Sequence, residues 1–163
     1  MHKVPLEQLH TEFQNFTGAF LVGLGFDHRC LAVLSKSPRD RFSEIIGVSN
    51  AGWGDQNQKN IEEFGRLAGS ECSVVGQGAT SVIEVADQLS QRVAAVFAHP
   101  TSKLLVDITS LSHELLVLLL GMLHEIGGLN RTSLIYVGAA AYSTNTGPHA
   151  MWLSRGVKDV RSV

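Results

Sequence analysis

Short apolar runs alternate along this chain with longer stretches in which apolar residues recur every three or four positions. Runs bounded by glycine or polar residues are typical of buried strands, whereas the recurring pattern is typical of helices with one apolar face. The pattern predicts five strands, at residues 18–25, 44–50, 73–78, 103–109 and 133–143. It predicts helices at residues 4–17, 26–37, 56–69 and 80–98, and in the leucine-rich segment that ends at Gly127.

Strands that alternate with helices indicate β-α-β units and therefore a parallel sheet. The strand segments are continuously apolar, which fits a sheet that is covered on both faces. We expect an α/β fold: a Rossmann-like, doubly wound, mostly parallel five-stranded sheet with helices on both faces, in a single domain over residues 1–163. The last residues, MWLSRGVKDVRSV, look like the opening of another element. Either they form a terminal strand or the chain is the N-terminal part of a longer protein, and we favour the second.

The composition narrows the range of partners. With 13 Lys and Arg against 15 Asp and Glu, the chain lacks the general positive charge on which binding of long nucleic acids depends. Cys30 and Cys72 lie far apart without metal-binding spacing, which favours two reduced thiols in a cytoplasmic protein. The longest apolar run, residues 115–123, is shorter than the roughly 20 residues that a membrane span takes. We expect neither a membrane nor a long nucleic acid as a partner.

Polar residues and glycines gather after the predicted strands, where parallel strands present their carboxyl ends at one edge of the sheet. In open α/β sheets, ligands bind beyond this edge, near the point where the strand order reverses. The candidates for ligand contact are Gly25, Asp27, Arg29, Asn50, Trp53, Gln77, Asp107, Thr109, Ser110, Ser112, His113 and Tyr142. Plainer interpretations remain open, since Arg29 can pair with Asp27 or Asp55 on the surface and Trp53 can cover the edge of the core.

The familiar cofactor and metal motifs do not fit this sequence. Residues 23–28 read G-x-G-x-x-H, with histidine at the small third position of the dinucleotide fingerprint, and Asn50 stands where a ribose-binding acid is needed. There is no P-loop, no H-E-x-x-H zinc motif and no G-x-S-x-G nucleophile turn. His113 and His124 share a helix face, but the residues between them are apolar. We therefore expect no cofactor, no metal and no classical serine hydrolysis.

The most informative stretch joins the fourth predicted strand to the leucine-rich helix and reads Asp107-Ile108-Thr109-Ser110-Leu111-Ser112-His113, or D-x-T-x-x-x-H. It resembles the strand-four motif D/N-x-S/T-x-x-x-R/K of CRISPR-associated Rossmann-fold (CARF) sensor domains, with His113 in place of the permanently basic residue. The resemblance extends over residues 18–143 at the level of architecture. It implies a defence-related sensor that binds cyclic oligoadenylates across a dimer interface.

Elementary chemistry allows two interpretations of the same stretch. Thr109, Ser110 and Ser112 lie at a helix start, where free backbone N–H groups bind an anion or a capping hydroxyl. Asp107 can accept hydrogen bonds from such N–H groups or from a ribose hydroxyl. The stretch either only caps the helix and fixes the loop, or also contacts a ligand.

Three functions remain open. The first is a sensor that binds a nucleotide or nucleotide-derived signal and relays it to an effector. The second is a hydrolase that processes nucleotides or nucleosides, with Asp107, His113 or His28 as acid–base groups. The third is a non-catalytic interaction domain, because the helix at 115–123 carries more leucine than one sheet surface can bury. We favour the sensor and expect a homodimer with a small nucleotide-like ligand.

Overall fold

A sheet with helices between its strands forms the body of the protein. The computed structural model describes residues 4–51, 54–69 and 72–139. The strands are β1 (Gly18–Leu24), β2 (Phe42–Ser49), β3 (Ser73–Val75), β4 (Leu104–Asp107) and β5 (Thr132–Ile135). The α-helices are α1 (Leu9–Glu12), α2 (Ala32–Lys36), α3 (Gly54–Ala68), α4 (Val82–Val96) and α5 (His113–Glu125). Short 3-10 helices cover Leu6–Gln8, His28–Leu31, Arg39–Arg41 and Leu129–Arg131.

All strand pairs of the sheet are parallel, and the strand order is β3-β2-β1-β4-β5. The chain moves outward from β1 through β2 to β3, and then returns to the other side of β1 with β4 and β5. The order therefore reverses between β1 and β4, which is the switch point where sheets of this kind bind ligands. The predicted Rossmann-like α/β fold is confirmed.

Helices cover both faces of the sheet, as predicted. Helices α4 and α5 pack on one face against strand residues such as Leu21 and Val106. The opposite face, with Phe20 and Leu105, packs against the N-terminal residues, α2 and α3. Successive strand side chains point to opposite faces, so two covered faces require the continuously apolar strands of this sequence. Asp107, two residues after Leu105, therefore points to the face that α2 and α3 cover.

Several strand ends differ from the predicted ones. Strand β3 ends at Val75 because Gly76 and Gly78, with φ values of +79° and +80°, turn the chain out of the sheet. Strand β4 ends at Asp107, whose carboxylate accepts the Thr109 N–H and bends the backbone. Strand β5 ends at residue 135, and the part of its predicted range from residue 140 onward lies outside the described residues.

Side-chain caps set the helix starts. Ser81 accepts the Glu84 N–H at the start of α4, and Ser112 caps α5 in the same way. The helix predicted over residues 26–37 is instead a 3-10 helix followed by the short α2, with Asp27 capping the 3-10 segment. The predicted N-terminal helix is likewise a 3-10 helix followed by the short α1.

The described part of the chain bears on the expectations about a membrane span and about the two cysteines. None of its helices combines the length and the apolar character that a membrane crossing requires. Cys30 and Cys72 are both free thiols, and Cys30 is buried.

Candidate functional site at the carboxyl edge of the sheet

The loop between β4 and α5 lies directly on the carboxyl end of β1. A Cβ atom on Gly23 would come within 2.6 Å of the Leu111 nitrogen, and one on Gly25 within 2.7 Å of the Ser110 carbonyl oxygen. Neither position has room for a side chain, because backbone atoms fill the space. The two glycines of the G-x-G pattern therefore make room for the protein's own loop at the switch point.

Asn50, just after β2, fastens the same loop from the other side. Its Nδ2 donates to the Ser110 carbonyl at 3.3 Å, and its Oδ1 accepts the Ser112 N–H at 3.4 Å. The Ser112 hydroxyl accepts the Leu115 N–H at 3.3 Å and caps α5. The structure thus brings four predicted contact residues together, Gly25, Asn50, Ser110 and Ser112, and it shows the capping role that the sequence allowed.

Four further predicted residues form a continuous hydrogen-bonded network with Val137, which was not predicted, beside this loop. Arg29 Nε lies 3.1 and 3.0 Å from the two carboxylate oxygens of Asp27, and Arg29 Nη1 donates to the Val137 carbonyl at 2.9 Å. Thr109 Oγ1 accepts the Val137 N–H at 2.9 Å, and Asp107 Oδ1 accepts the Thr109 N–H at 2.9 Å. We call these five residues the carboxyl-edge network. It joins the chain segments that follow β1, β4 and β5.

Asp107 is the buried end of the carboxyl-edge network. Its side chain is excluded from solvent, and its Oδ2 atom has no hydrogen-bond partner. Burial raises the pKa of Asp107 from 3.8 to about 6, against the opposing effects of the Thr109 hydrogen bonds and the Arg29 charge. A buried acceptor without a donor lowers the free energy of unfolding by about 1–3 kcal/mol. Oδ2 is therefore an acceptor at the switch point to which a donor could still bind.

Arg29 and Asp27 form the exposed end of the network, with both side chains 28% exposed. Burial alone would raise the pKa of Asp27, but the side-chain and backbone hydrogen bonds from Arg29 outweigh it and hold that pKa below its ordinary value. The hydrogen bond to Asp27 raises the pKa of Arg29 above its ordinary value. The surface pairing of Arg29 with Asp27 that the sequence allowed is therefore present. The Arg29 guanidinium carbon also lies 6.0 Å from the centre of the Tyr136 ring.

The described groups around the network offer no activated nucleophile. Burial, reinforced by the charges of Asp107 and Asp27, raises the pKa of the Cys30 thiol to about 12, so the thiol is protonated at neutral pH. His113 is exposed at the start of α5, and among the described residues it has no hydrogen bond to Asp107. Helix α5 packs on the face opposite to the one that Asp107 faces.

Two buried asparagines on α3 belong to this edge, although no motif marks them. Asn60 Nδ2 donates to the Gly25 carbonyl at 2.6 Å, and Asn60 Oδ1 lies 3.3 Å from His28 Nδ1. Asn57 is fully buried, and neither its Oδ1 nor its Nδ2 has a partner. Helical spacing could have predicted their burial, because Asn57 and Asn60 share one face of α3 with the buried Phe64. The buried face of α3 is therefore polar near the start of the helix, next to the carboxyl edge of the sheet.

The remaining predicted contacts are not joined to these groups. Gln77 is exposed in the turn after β3, the strand at the far edge of the sheet. Trp53 and Tyr142 lie outside the described residues. A separate groove of about 360 Å³ lies where β2 begins, at the opposite edge, and is lined by residues such as Arg39 and Glu44 rather than by predicted contacts. Across the described ranges, no cluster of three or more His, Cys, Asp or Glu side chains could hold a metal ion.

Comparison with models of protein families, with curated proteins and with solved structures finds no match to this chain. The resemblance to CARF sensor domains therefore stays a prediction, carried by the D-x-T-x-x-x-H stretch. The geometry itself offers an unpaired buried carboxylate oxygen, a partly exposed guanidinium and an aromatic ring at one edge of the sheet.

Proposed function

We propose that this domain senses a small nucleotide-like ligand at the carboxyl edge, binds it without changing it and relays the binding event to an effector. The observation that carries the proposal is the buried, unpaired Oδ2 of Asp107 at the switch point between β1 and β4. Because the Asp107 side chain is excluded from solvent, a ligand reaches this oxygen only when the covering atoms move aside, and the hydrogen bond that it donates then replaces the solvation that the carboxylate lost on burial. A ribose hydroxyl is such a donor.

Arg29 and Tyr136 favour a nucleotide over a bare sugar. Arg29 is close enough for its charge to lower the pKa of Asp107, and guanidinium groups bind phosphate oxygens through paired N–H donors. Tyr136, which is 56% exposed, offers an aromatic face on which a base can stack. Three of the five Arg29 N–H donors bond Asp27 and Val137 in this structure, so a phosphate binds the two that remain or exchanges with these partners.

One observation favours hydrolysis as the second candidate function. A carboxyl group with a pKa of about 6 is suited to general acid–base catalysis near neutral pH. The neighbouring groups argue against it, because the Cys30 thiol is protonated, His28 contacts Asn60, and His113 is not hydrogen-bonded to Asp107 within the described residues. The sensor is therefore the function that the site supports best.

Thermal unfolding with a panel of linear and cyclic nucleotides, followed by mass spectrometry of the recovered nucleotide, tests the proposal. At a concentration of about 100 Kd, a ligand that binds only the folded state adds about 2.7 kcal/mol, which is roughly 5–10 °C in Tm for a domain of this size. Asp107→Asn should abolish the shift because the amide cannot provide two acceptors, whereas Gln77→Ala should retain it. A panel without any shift contradicts the sensor, and a converted nucleotide supports the hydrolase instead.

We also propose that a second copy of the chain covers an apolar surface on α5 and β5. Val117 and Leu118 are 68% and 39% exposed, and Leu134 is 47% exposed on the edge strand. Large apolar side chains that are exposed to solvent favour association. Sedimentation should show a dimer that Val117→Lys dissociates and that Ile83→Lys, at a 72% exposed position on α4, leaves intact. A wild-type monomer at high micromolar concentration contradicts this assignment.

A further inference from the structure

Val137, two residues beyond β5, has both of its backbone polar groups held by side chains from other loops. Its N–H donates to Thr109 Oγ1 at 2.9 Å, and its carbonyl accepts from Arg29 Nη1 at 2.9 Å. The preceding link is an ordinary backbone bond, from the Ile108 N–H to the Ile135 carbonyl at 2.9 Å. At Val137, hydrogen bonds from side chains take the place of the backbone hydrogen bonds that join neighbouring strands.

Both holders of Val137 are residues of the proposed binding site. Arg29 Nε and Nη2 bond Asp27 while Nη1 bonds Val137, and each Nη keeps one further N–H, so a phosphate that binds the Nη1–Nη2 side shares Nη1 with Val137 and pulls on that bond. The Thr109 N–H donates to Asp107 Oδ1, while the Thr109 hydroxyl oxygen accepts the Val137 N–H. A ligand hydroxyl that binds Asp107 therefore lies next to Thr109, whose side chain accepts the Val137 N–H.

We infer that the two bonds to Val137 form one clamp and that occupancy of the carboxyl edge is reported to the chain leaving β5 by loosening it. The inference rests on the proposed function for the nature of the ligand. The cooperativity of the clamp has a separate basis: the N–H and the carbonyl belong to two peptide groups joined at the Val137 Cα, so the loss of either bond frees a backbone torsion beside the other and weakens its alignment. Segments held by a few side-chain bonds open more readily than core strands, which suits a reporting element.

Amide hydrogen exchange at Val137, followed by NMR, reads the clamp directly. Thr109→Val removes the acceptor with little change in shape and should speed exchange at Val137 by about tenfold or more, while the β4 amides Leu105 and Val106 keep their protection. Thr109→Ser keeps the hydroxyl and should leave the Val137 rate within about twofold of wild type. Unchanged exchange in Thr109→Val overturns the clamp.

Arginine variants test whether the two bonds act as one. Arg29→Ala leaves the acceptor of the Val137 N–H in place, yet it should also speed exchange at that N–H by about tenfold if the clamp is cooperative. Arg29→Lys, which keeps a cation for Asp27 but has no second nitrogen for Val137, gives the same reading if Arg29→Ala fails to fold. Arg131→Ala is the matched control, because Arg131 bonds the backbone carbonyls of His99 and Pro100 elsewhere. Two arginine-29 variants with wild-type exchange at Val137 overturn the inference.

The nucleotide panel separates failure of this inference from failure of the proposed function. A nucleotide that raises Tm should speed exchange at Val137, and one that raises Tm while Val137 keeps its wild-type exchange rate overturns the reporting role but leaves the sensor intact. If no nucleotide binds while both the Thr109→Val and the Arg29 variants free Val137, the clamp is supported and the ligand assignment is wrong.

Discussion

Replacing Asp107 by asparagine should make the protein more stable, and increasingly so as the pH rises. The folded pKa of this carboxyl is about 6 against an ordinary value of 3.8, so the folded state binds its proton more tightly than the unfolded chain does. The stability associated with the protonated form is fully present below the unfolded pKa and is lost as the pH rises through the folded pKa. At 1.36 kcal/mol per pKa unit, the total effect is about 3 kcal/mol, of which about 2 kcal/mol falls between pH 4.5 and pH 8.

Urea unfolding of the wild type and of Asp107→Asn across this pH range measures the effect. Asparagine keeps an oxygen for the Thr109 N–H and carries no charge, so the variant should lead by about 1 kcal/mol at pH 4.5 and by about 3 kcal/mol at pH 8. All other titrating groups are common to both proteins and cancel in the difference. Asp27→Asn is the control of opposite sign: Arg29 loses its partner, so this variant should be less stable than wild type throughout. A difference between wild type and Asp107→Asn that does not change with pH would refute the assignment of a raised pKa to Asp107.

Three further changes probe the packing of the site. Gly25→Ala should lower the free energy of unfolding by about 1–3 kcal/mol, because its Cβ would overlap Ser110 atoms. Gly121→Ala, whose Cβ would meet no atom within 4 Å, should raise the free energy of unfolding by about 0.5–1 kcal/mol. Equal Tm shifts in the two variants would contradict the close approach of Ser110 to Gly25. Ser112→Ala should cost about 1 kcal/mol in urea unfolding and Ser112→Asp much less, and no loss in the alanine variant argues against the observed cap. Native protein at pH 8 should leave Cys30 unlabelled by a thiol reagent until it unfolds, as read by peptide mass spectrometry; rapid native labelling contradicts its raised pKa.

The fold was largely predictable because it depends on repeated apolar patterns. Continuous apolar runs predicted all five strands of the sheet and its two covered faces. The errors fall where single residues override the pattern. Gly76 and Gly78 turn the chain three residues before the predicted end of β3, and Asp27 starts a 3-10 helix where a longer α-helix was expected. Strand order could not be predicted, because it depends on which side of β1 the chain takes after β3.

The site was predictable only in part. Parallel strands place their carboxyl ends together, so the convergence of Arg29, Asn50 and the residues after β4 followed from topology. The partner that links Arg29 to Thr109 is the backbone of Val137, and backbone groups have no sequence signature. Asn57 was missed for a different reason: a polar residue in a polar helix looks exposed until the helix is placed on the sheet.

The role of Asp107 can be argued from what the acid costs. One carboxylate oxygen holds the Thr109 N–H, and an asparagine oxygen could do the same, so fixing the loop does not require a charge. The second oxygen is buried, unpaired and destabilising when ionised near neutral pH. Such local costs are concentrated at functional sites in proteins. An acid at this position is therefore better explained by a donor that binds to Oδ2, or by its titration near pH 6, than by any contribution to the stability of the fold.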